Sequence, residues 1–129
     1  MNAWSKWFFI LGSINMFLAV ALGAFGAHAL KASLPPGSMA VYQTGNQYHF
    51  YHGLGLFAVG LVSGFFPGSG FLRWSGAAIL GGIVLFSGSL YVLSLTGQRW
   101  IGVITPFGGT AFMVGWLLLA VGVWRGRKL

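Results

Sequence analysis

Three histidines are the clearest candidates for chemistry in this sequence. His49 and His52 are three residues apart, so a helix would present both imidazoles on one face. His28 ends the apolar run that precedes them, and a helical hairpin would return His49 and His52 to the same side of the molecule. Three imidazoles can hold a transition metal, and a buried pair can ligate haem.

A simpler interpretation is that these histidines hydrogen-bond to backbone ends and lipid headgroups. A metal-ligating histidine usually donates its second N–H to a carboxylate or a carbonyl, and the chain contains no Asp or Glu. We therefore predict no metal and no cofactor. A metal or haem centre at His28, His49 and His52 is kept as an alternative hypothesis.

The lack of acidic residues also narrows the possible reactions. Two-carboxylate, Ser-His-Asp and two-metal mechanisms all require an acidic side chain. Transport of protons or cations generally depends on ionisable groups inside the membrane, and here only histidine could serve. Because the chain has no cysteine, disulfides and thiolate ligands are excluded. We expect a protein that is not an enzyme.

The elements that would position these residues are predicted from the spacing of the cations. Hydrophobic residues make up 57% of the chain and charged residues 5%, whereas soluble domains carry about 25% charged residues. The apolar runs between cations exceed the roughly 20 residues that a helix needs to cross a bilayer. We predict an all-α, four-helix transmembrane bundle forming one domain over residues 1–129. Its spans are expected at about 7–29, 48–66, 74–95 and 106–124.

The predicted connections carry turn and capping signals. Pro35 and Pro36 mark the first connection, Ser38 is expected to cap the next helix, and Tyr42, with Tyr48 and Tyr51, is expected to anchor at the membrane interface. Thr105 is expected to cap the last span, with Pro106 at its first position. The first span resembles a signal peptide, but its apolar run is longer than usual, so we expect it to be retained.

The distribution of cations predicts orientation and partners. With four spans, both termini lie on one side of the membrane, and five cations lie on that side: Lys6, Arg73, Arg125, Arg127 and Lys128. Two cations, Lys31 and Arg99, lie on the other side. The positive-inside rule then predicts cytoplasmic termini, most simply in a bacterial inner membrane. Cations that occur singly favour anionic lipid headgroups over nucleic acid as partners.

Small residues recur on one face of each predicted span, a pattern typical of close helix packing in lipid. Gly108 and Gly109 could instead cradle an anion at a helix N-terminus, although packing is the more common role. The candidate residues for a packing or ligand-binding face are Asn15, Gly23, Gly26, His28, Tyr48, His52, Ser87, Ser89, Gly108 and Gly109.

Four blocks of this sequence resemble the signatures of the YgdD/YwdK-like family of small membrane proteins, which also has eukaryotic relatives. They are Gly23-Ala24-Phe25-Gly26-Ala27-His28, the Gln43-Thr44-Gly45 block with Tyr48 and His52, Leu85-Phe86-Ser87-Gly88-Ser89-Leu90-Tyr91, and Thr105-Pro106-Phe107-Gly108-Gly109. Asn46 and His49 fall outside the family pattern. The resemblance implies four membrane helices, no assigned function and no established catalytic residue.

These observations favour a non-enzymatic membrane protein that acts through helix and lipid packing. Such a protein could be an accessory or stabilising subunit of a larger membrane complex, or a homo-oligomer. A small-molecule conduit is a further alternative, and it predicts a wet cavity lined by Asn15, Ser87, Ser89 and Thr110.

Overall fold

In a computed structural model, residues 1–126 are described and every regular element among them is helical. The main helices are α1 (Ala3–Phe25), α2 (Pro36–Phe65), α3 (Gly70–Gly82), α4 (Gly88–Thr96) and α5 (Thr105–Arg125). A π-helical turn, Gly26–Leu30, extends α1, and a second, Ile83–Ser87, joins α3 to α4. The described chain therefore forms four long rods. The predicted cations Arg127 and Lys128 lie outside the described residues.

The first rod begins with a side-chain cap that the sequence analysis did not predict. Asn2 Oδ1 accepts from the Ser5 backbone N–H at 2.9 Å, which satisfies one of the free donors of the first turn. The Asn2 amide also donates to the Ser63 carbonyl, at the far end of α2. One residue thus starts α1 and ties it to α2.

The second rod is longer than predicted and begins differently. α2 starts at Pro36, whose ring suits the first turn of a helix, and Ser38 lies inside the helix, so it is not the cap. The helix then continues without a break through the segment expected to precede the span. Tyr42 was expected at the membrane interface, but its side chain is 1% exposed and its hydroxyl donates to the Leu22 carbonyl. Burial between α1 and α2 overrides the usual interfacial preference of tyrosine.

The third rod, α3 to α4, ends at Gly97, which adopts the left-handed conformation (φ +71°) that favours glycine. The segment expected to be a loop after α4 contains a 3₁₀ turn, Arg99–Val103. Thr105 is the first residue of α5 and does not cap it, because its hydroxyl hydrogen-bonds to Ser89 on α4.

α2 lies at the centre of the packing. α1 packs chiefly against α2, and α5 chiefly against α3, while α2 also contacts α3 and α4. The apolar core formed between these helices consists of Phe8, Leu56, Val59, Ile79, Ile83 and Phe112.

Three of the four rods are long and apolar enough to cross a membrane: Ala3–Leu30, Gly70–Thr96 and Arg99–Arg125. α2 has 30 residues but does not reach the same hydropathy. Polar residues lower the hydropathy of α2, and two of them, Asn46 and His49, hydrogen-bond to α1 and α4. The fold class is therefore an all-helical bundle with three candidate spans and one more polar central helix.

Both described ends of the chain lie at one end of the bundle. Asn2 bonds to Ser63 near the end of α2, and Gly126 lies against Phe66 in the turn that follows α2. Lys31 and Arg99 follow the opposite ends of the rods. The cations thus mark the ends of the helices.

Candidate functional site

A polar network joins α1, α2 and α4 around the His49 side chain, which is 4% exposed. His49 Nε2 lies 2.9 Å from Asn15 Oδ1, and His49 Nδ1 lies 3.0 Å from the Tyr91 hydroxyl. The Asn46 amide nitrogen lies 3.1 Å from the same hydroxyl and 2.9 Å from the Ala19 carbonyl. Four side chains from three helices therefore form one connected group.

The direction of each hydrogen bond in this network can be assigned from its ends. The Asn15 amide donates to the Leu11 carbonyl at 2.9 Å, so the Asn15 oxygen accepts and His49 Nε2 carries the proton. His49 Nδ1 then accepts from the Tyr91 hydroxyl, which in turn accepts from Asn46. Both ends of the chain of bonds are backbone carbonyls. The arrangement stabilises a neutral His49 and fixes how three helices pack.

His52 belongs to a second polar group, between α2 and α5. The Trp116 indole N–H donates to His52 Nε2 at 3.0 Å, so His52 Nδ1 carries the proton and donates to the Tyr48 carbonyl at 2.7 Å. The imidazole stacks on Phe112, with ring centroids 3.5 Å apart. Both nitrogens of each buried histidine are therefore occupied by protein groups.

His28 lies apart from these two histidines. Its side chain is exposed on the π-helical turn Gly26–Leu30, whereas His49 and His52 are buried in separate polar groups. No group of three potential metal ligands occurs within residues 1–126. The structure therefore does not bring together the three imidazoles that the metal hypothesis requires.

Gly23 and Gly26 lie where α1 approaches α2. A β-carbon at Gly23 would lie 2.9 Å from Asn46 Oδ1, and one at Gly26 would lie 2.4 Å from the Tyr42 ring. At both positions a larger residue would displace a side chain that hydrogen-bonds to α1. These glycines let the polar groups of α2 reach the α1 backbone.

Gly108 and Gly109 differ in their surroundings although they are adjacent. A β-carbon at Gly108 would lie 2.3 Å from the backbone nitrogen of Phe86, in the π-helical turn Ile83–Ser87. At Gly109 the nearest atom, on the Phe86 ring, would be 3.7 Å away, an ordinary contact. Gly108 is therefore a point of close backbone approach between α5 and the α3–α4 rod.

The four residues proposed to line a conduit are dispersed. Asn15 bonds to His49, Ser89 bonds to Thr105, and the exposed Thr110 hydroxyl bonds to the Pro106 carbonyl. The Ser87 hydroxyl is fully buried and has no partner among the described residues. The polar atoms expected to face a shared wet cavity mostly bond to separate parts of the bundle.

Sequence reasoning did not identify Tyr42, Asn46, Tyr91 and Trp116 as site residues. Tyr42, Asn46 and His49 follow the i, i+4, i+7 spacing of one helical face. This spacing could have grouped the three residues from the sequence alone. Tyr91 and Trp116 reach the site from other helices, and no spacing along the chain relates them to α2.

Three helices long and apolar enough to cross a membrane indicate that this chain is a helical membrane protein. A family model described as a protein of unknown function, DUF423, matches residues 22–109, and the chain belongs to this family. It is 50% identical over 116 residues to the UPF0382 membrane protein YwdK of Bacillus subtilis, covering 90% of this chain and 94% of that protein.

Two further relatives carry the same description. A UPF0382 membrane protein of Staphylococcus saprophyticus is 48% identical over 120 residues, which cover 93% of this chain and 98% of that protein. One from Staphylococcus epidermidis is 47% identical over 116 residues, which cover 90% of this chain and 93% of that protein. No solved structure matches the chain. The resemblance seen in the sequence is therefore confirmed at the level of the family.

Proposed function

We propose that this chain is a four-span, non-enzymatic protein of the bacterial inner membrane and that it binds a partner protein within the bilayer. It would act as an accessory or stabilising subunit, either in a homo-oligomer or in a larger complex. The observation that carries the proposal is a polar face on the outer surface of α2, defined by Gln43, Gln47 and Tyr51, all of which are exposed.

The polar face follows one stripe of the helix, because its members are four residues apart. The Gln47 amide donates to the Tyr51 hydroxyl, one turn along. The Gln47 side-chain oxygen and the second N–H of its amide form no hydrogen bond within residues 1–126, and neither does the Gln43 side chain. A glutamine amide offers two donors and a carbonyl acceptor, so most of this bonding capacity points away from the bundle.

The position of the polar face along α2 supports a location inside the bilayer. A helix of 30 residues is about 45 Å long, and the hydrocarbon core is about 30 Å thick. If α2 is centred in the bilayer, about 7 Å protrudes at each end. Gln47 follows the start of α2 by roughly 16 Å of helix rise, so its amide would lie well inside the hydrocarbon.

An unpaired amide in hydrocarbon costs several kcal/mol, on the order of 2 to 7, whereas glutamines commonly hydrogen-bond across helices in membrane proteins. A protein partner would satisfy the polar face. The same stripe continues toward the other end of α2 as Leu54 and Leu61, which are 55% and 57% exposed. A span that contacts protein on several sides can carry more polar residues than one that faces lipid, which would account for the lower hydropathy of α2.

The interior of the bundle supports a non-enzymatic role. His49 and His52, the most reactive buried side chains, have both ring nitrogens engaged by Asn15, Tyr91, Tyr48 and Trp116. These bonds serve to join helices. The distribution of Lys6, Arg73 and Arg125 at the end that carries the described termini supports a cytoplasmic location for that end.

Site-specific photocrosslinking in intact membranes tests the proposal. A benzoylphenylalanine probe at Leu54 lies on the stripe that continues the polar face and leaves its glutamines intact. The control probe at Leu117, which is 67% exposed on α5, is expected to face lipid. We expect a protein adduct from Leu54 and at most a trace from Leu117, and the adduct mass distinguishes a second copy from another protein.

The polar face itself is tested by Q43L/Q47L combined with the Leu54 probe. The double substitution should abolish the adduct while the monomer remains folded, because both side chains are exposed. Equal adducts from Leu54 and Leu117, or an adduct that survives Q43L/Q47L, would refute the proposed contact.

A further inference from the structure

Arg73 lies in a cleft between α1 and α3, at the end of the bundle that holds the described termini. Its guanidinium carbon lies 5.5 Å from the centre of the Trp4 ring, a cation–π contact. The cleft is lined by Trp4, Gly70, Arg73, Trp74 and Ala77. Two indoles and one cation therefore border a single cleft at the level where interfacial tryptophans usually lie.

The charge of Arg73 has no carboxylate partner among residues 1–126. The chain contains no Asp or Glu, and the one hydrogen bond of the guanidinium, to the Gly68 carbonyl, is long at 3.5 Å. A guanidinium carries five N–H donors in a planar fork that matches the oxygens of a phosphate. The stacking on Trp4 restrains the plane of this fork and leaves most of its donors available.

An apolar groove adjoins the cleft on the other side of Trp74. It runs between α3 and α5, shares Gly70, Trp74 and Ala77 with the cleft, and continues to Ala78, Val114 and Leu118. From Gly70 to Ala78 the groove follows α3 for roughly 12 Å of helix rise. This direction leads from the level of the headgroups into the hydrocarbon.

We propose that this cleft and groove bind one anionic phospholipid. Its phosphate would pair with Arg73 beside Trp4 and Trp74, and one acyl chain would occupy the groove along Ala77 and Ala78. The charges are complementary, since Lys6 and Arg125 lie at the same end of the bundle and add to the attraction for an anionic headgroup.

The inference rests on the proposed insertion in the membrane and on nothing at the polar face of α2. Crosslinking from Leu54 and lipid binding at Arg73 can therefore fail separately. The phosphate could in principle come from a soluble anion, but only a lipid would also use the groove.

Native mass spectrometry of the detergent-solubilised protein, titrated with phosphatidylglycerol or phosphatidylcholine, tests the proposal. R73Q removes the fork, and R99Q removes one cation at the opposite end as a matched control. We expect R73Q to weaken phosphatidylglycerol binding about fivefold or more, the effect of at least one interfacial cation. R99Q should change binding less than twofold, and phosphatidylcholine should bind the wild type more weakly than phosphatidylglycerol does.

The groove is tested by A78F, which fills it from a half-buried position on α3 without changing charge. This variant should also weaken phosphatidylglycerol binding, and circular dichroism should show that all three variants keep their helical content. Equal losses in R73Q and R99Q, or binding that survives R73Q, would overturn the site. Displacement of the lipid by millimolar inorganic phosphate, or full binding by A78F, would overturn the assignment to a lipid.

Discussion

His49 Nε2 and Asn15 Oδ1 are 2.9 Å apart, although the two residues are 34 positions apart in the chain. This bond links α1 to α2 within a buried environment, and the Asn15 amide is held in turn by the Leu11 carbonyl. Because each partner is oriented by another bond, the relative position of the two helices is specified by polar contacts as well as by small residues.

The first prediction concerns this bond. N15L should lower the free energy of unfolding by about 1–2 kcal/mol, because the N–H of His49 loses its acceptor in a buried site. Unfolding can be followed by SDS titration in mixed micelles. The control is S13A on the same helix, where the exposed hydroxyl bonds only to the Phe9 carbonyl. An effect of N15L no larger than that of S13A would show that the network contributes little.

The second prediction compares two adjacent glycines. G108A should destabilise the protein by roughly 2 kcal/mol or more, because the new methyl group would meet the Phe86 backbone, which cannot move aside as a side chain could. G109A should be neutral or slightly stabilising, since alanine favours a helix over glycine. The same unfolding titration measures both. Equal destabilisation by the two variants would contradict the close approach at Gly108.

The third prediction concerns the bond between Trp116 and His52. W116F should destabilise the protein by about 0.5–1.5 kcal/mol, because His52 Nε2 loses its donor. W124F serves as the control, since Trp124 is 86% exposed and should change stability by less than about 0.5 kcal/mol. Similar values for both variants would argue that the indole N–H is not required.

The fourth prediction concerns orientation and whether α2 spans the bilayer. The chain has no cysteine, so G37C and G70C each introduce a single thiol, and both sites have open space around an added side chain. An impermeant maleimide should label G37C in cells whose inner membrane is intact, and G70C only after lysis. Labelling of both sites from one side would show that α2 does not cross the membrane.

Much of the helical architecture could be predicted from the sequence. The spacing of Lys6, Lys31, Arg73 and Arg99 located the ends of the rods, because charged residues avoid the apolar centre of such helices. The start of α2 was missed because serine is a common N-cap residue, which pointed to Ser38. The helix begins two residues earlier, at Pro36. Tyr42 was misplaced because a tyrosine suits the membrane interface as well as a buried site. Only its neighbours in the folded bundle distinguish these two locations.

The sequence by itself determined that this chain forms long apolar helices with charged ends, because hydropathy and charge spacing are properties of the chain read in order. The tertiary structure alone decided which polar groups meet. His49 pairs with Asn15 and Tyr91, and His52 with Trp116, because α1, α4 and α5 pack around α2. Hydrogen bonds act over about 3 Å, and the packing of the helices decides which distant residues come that close.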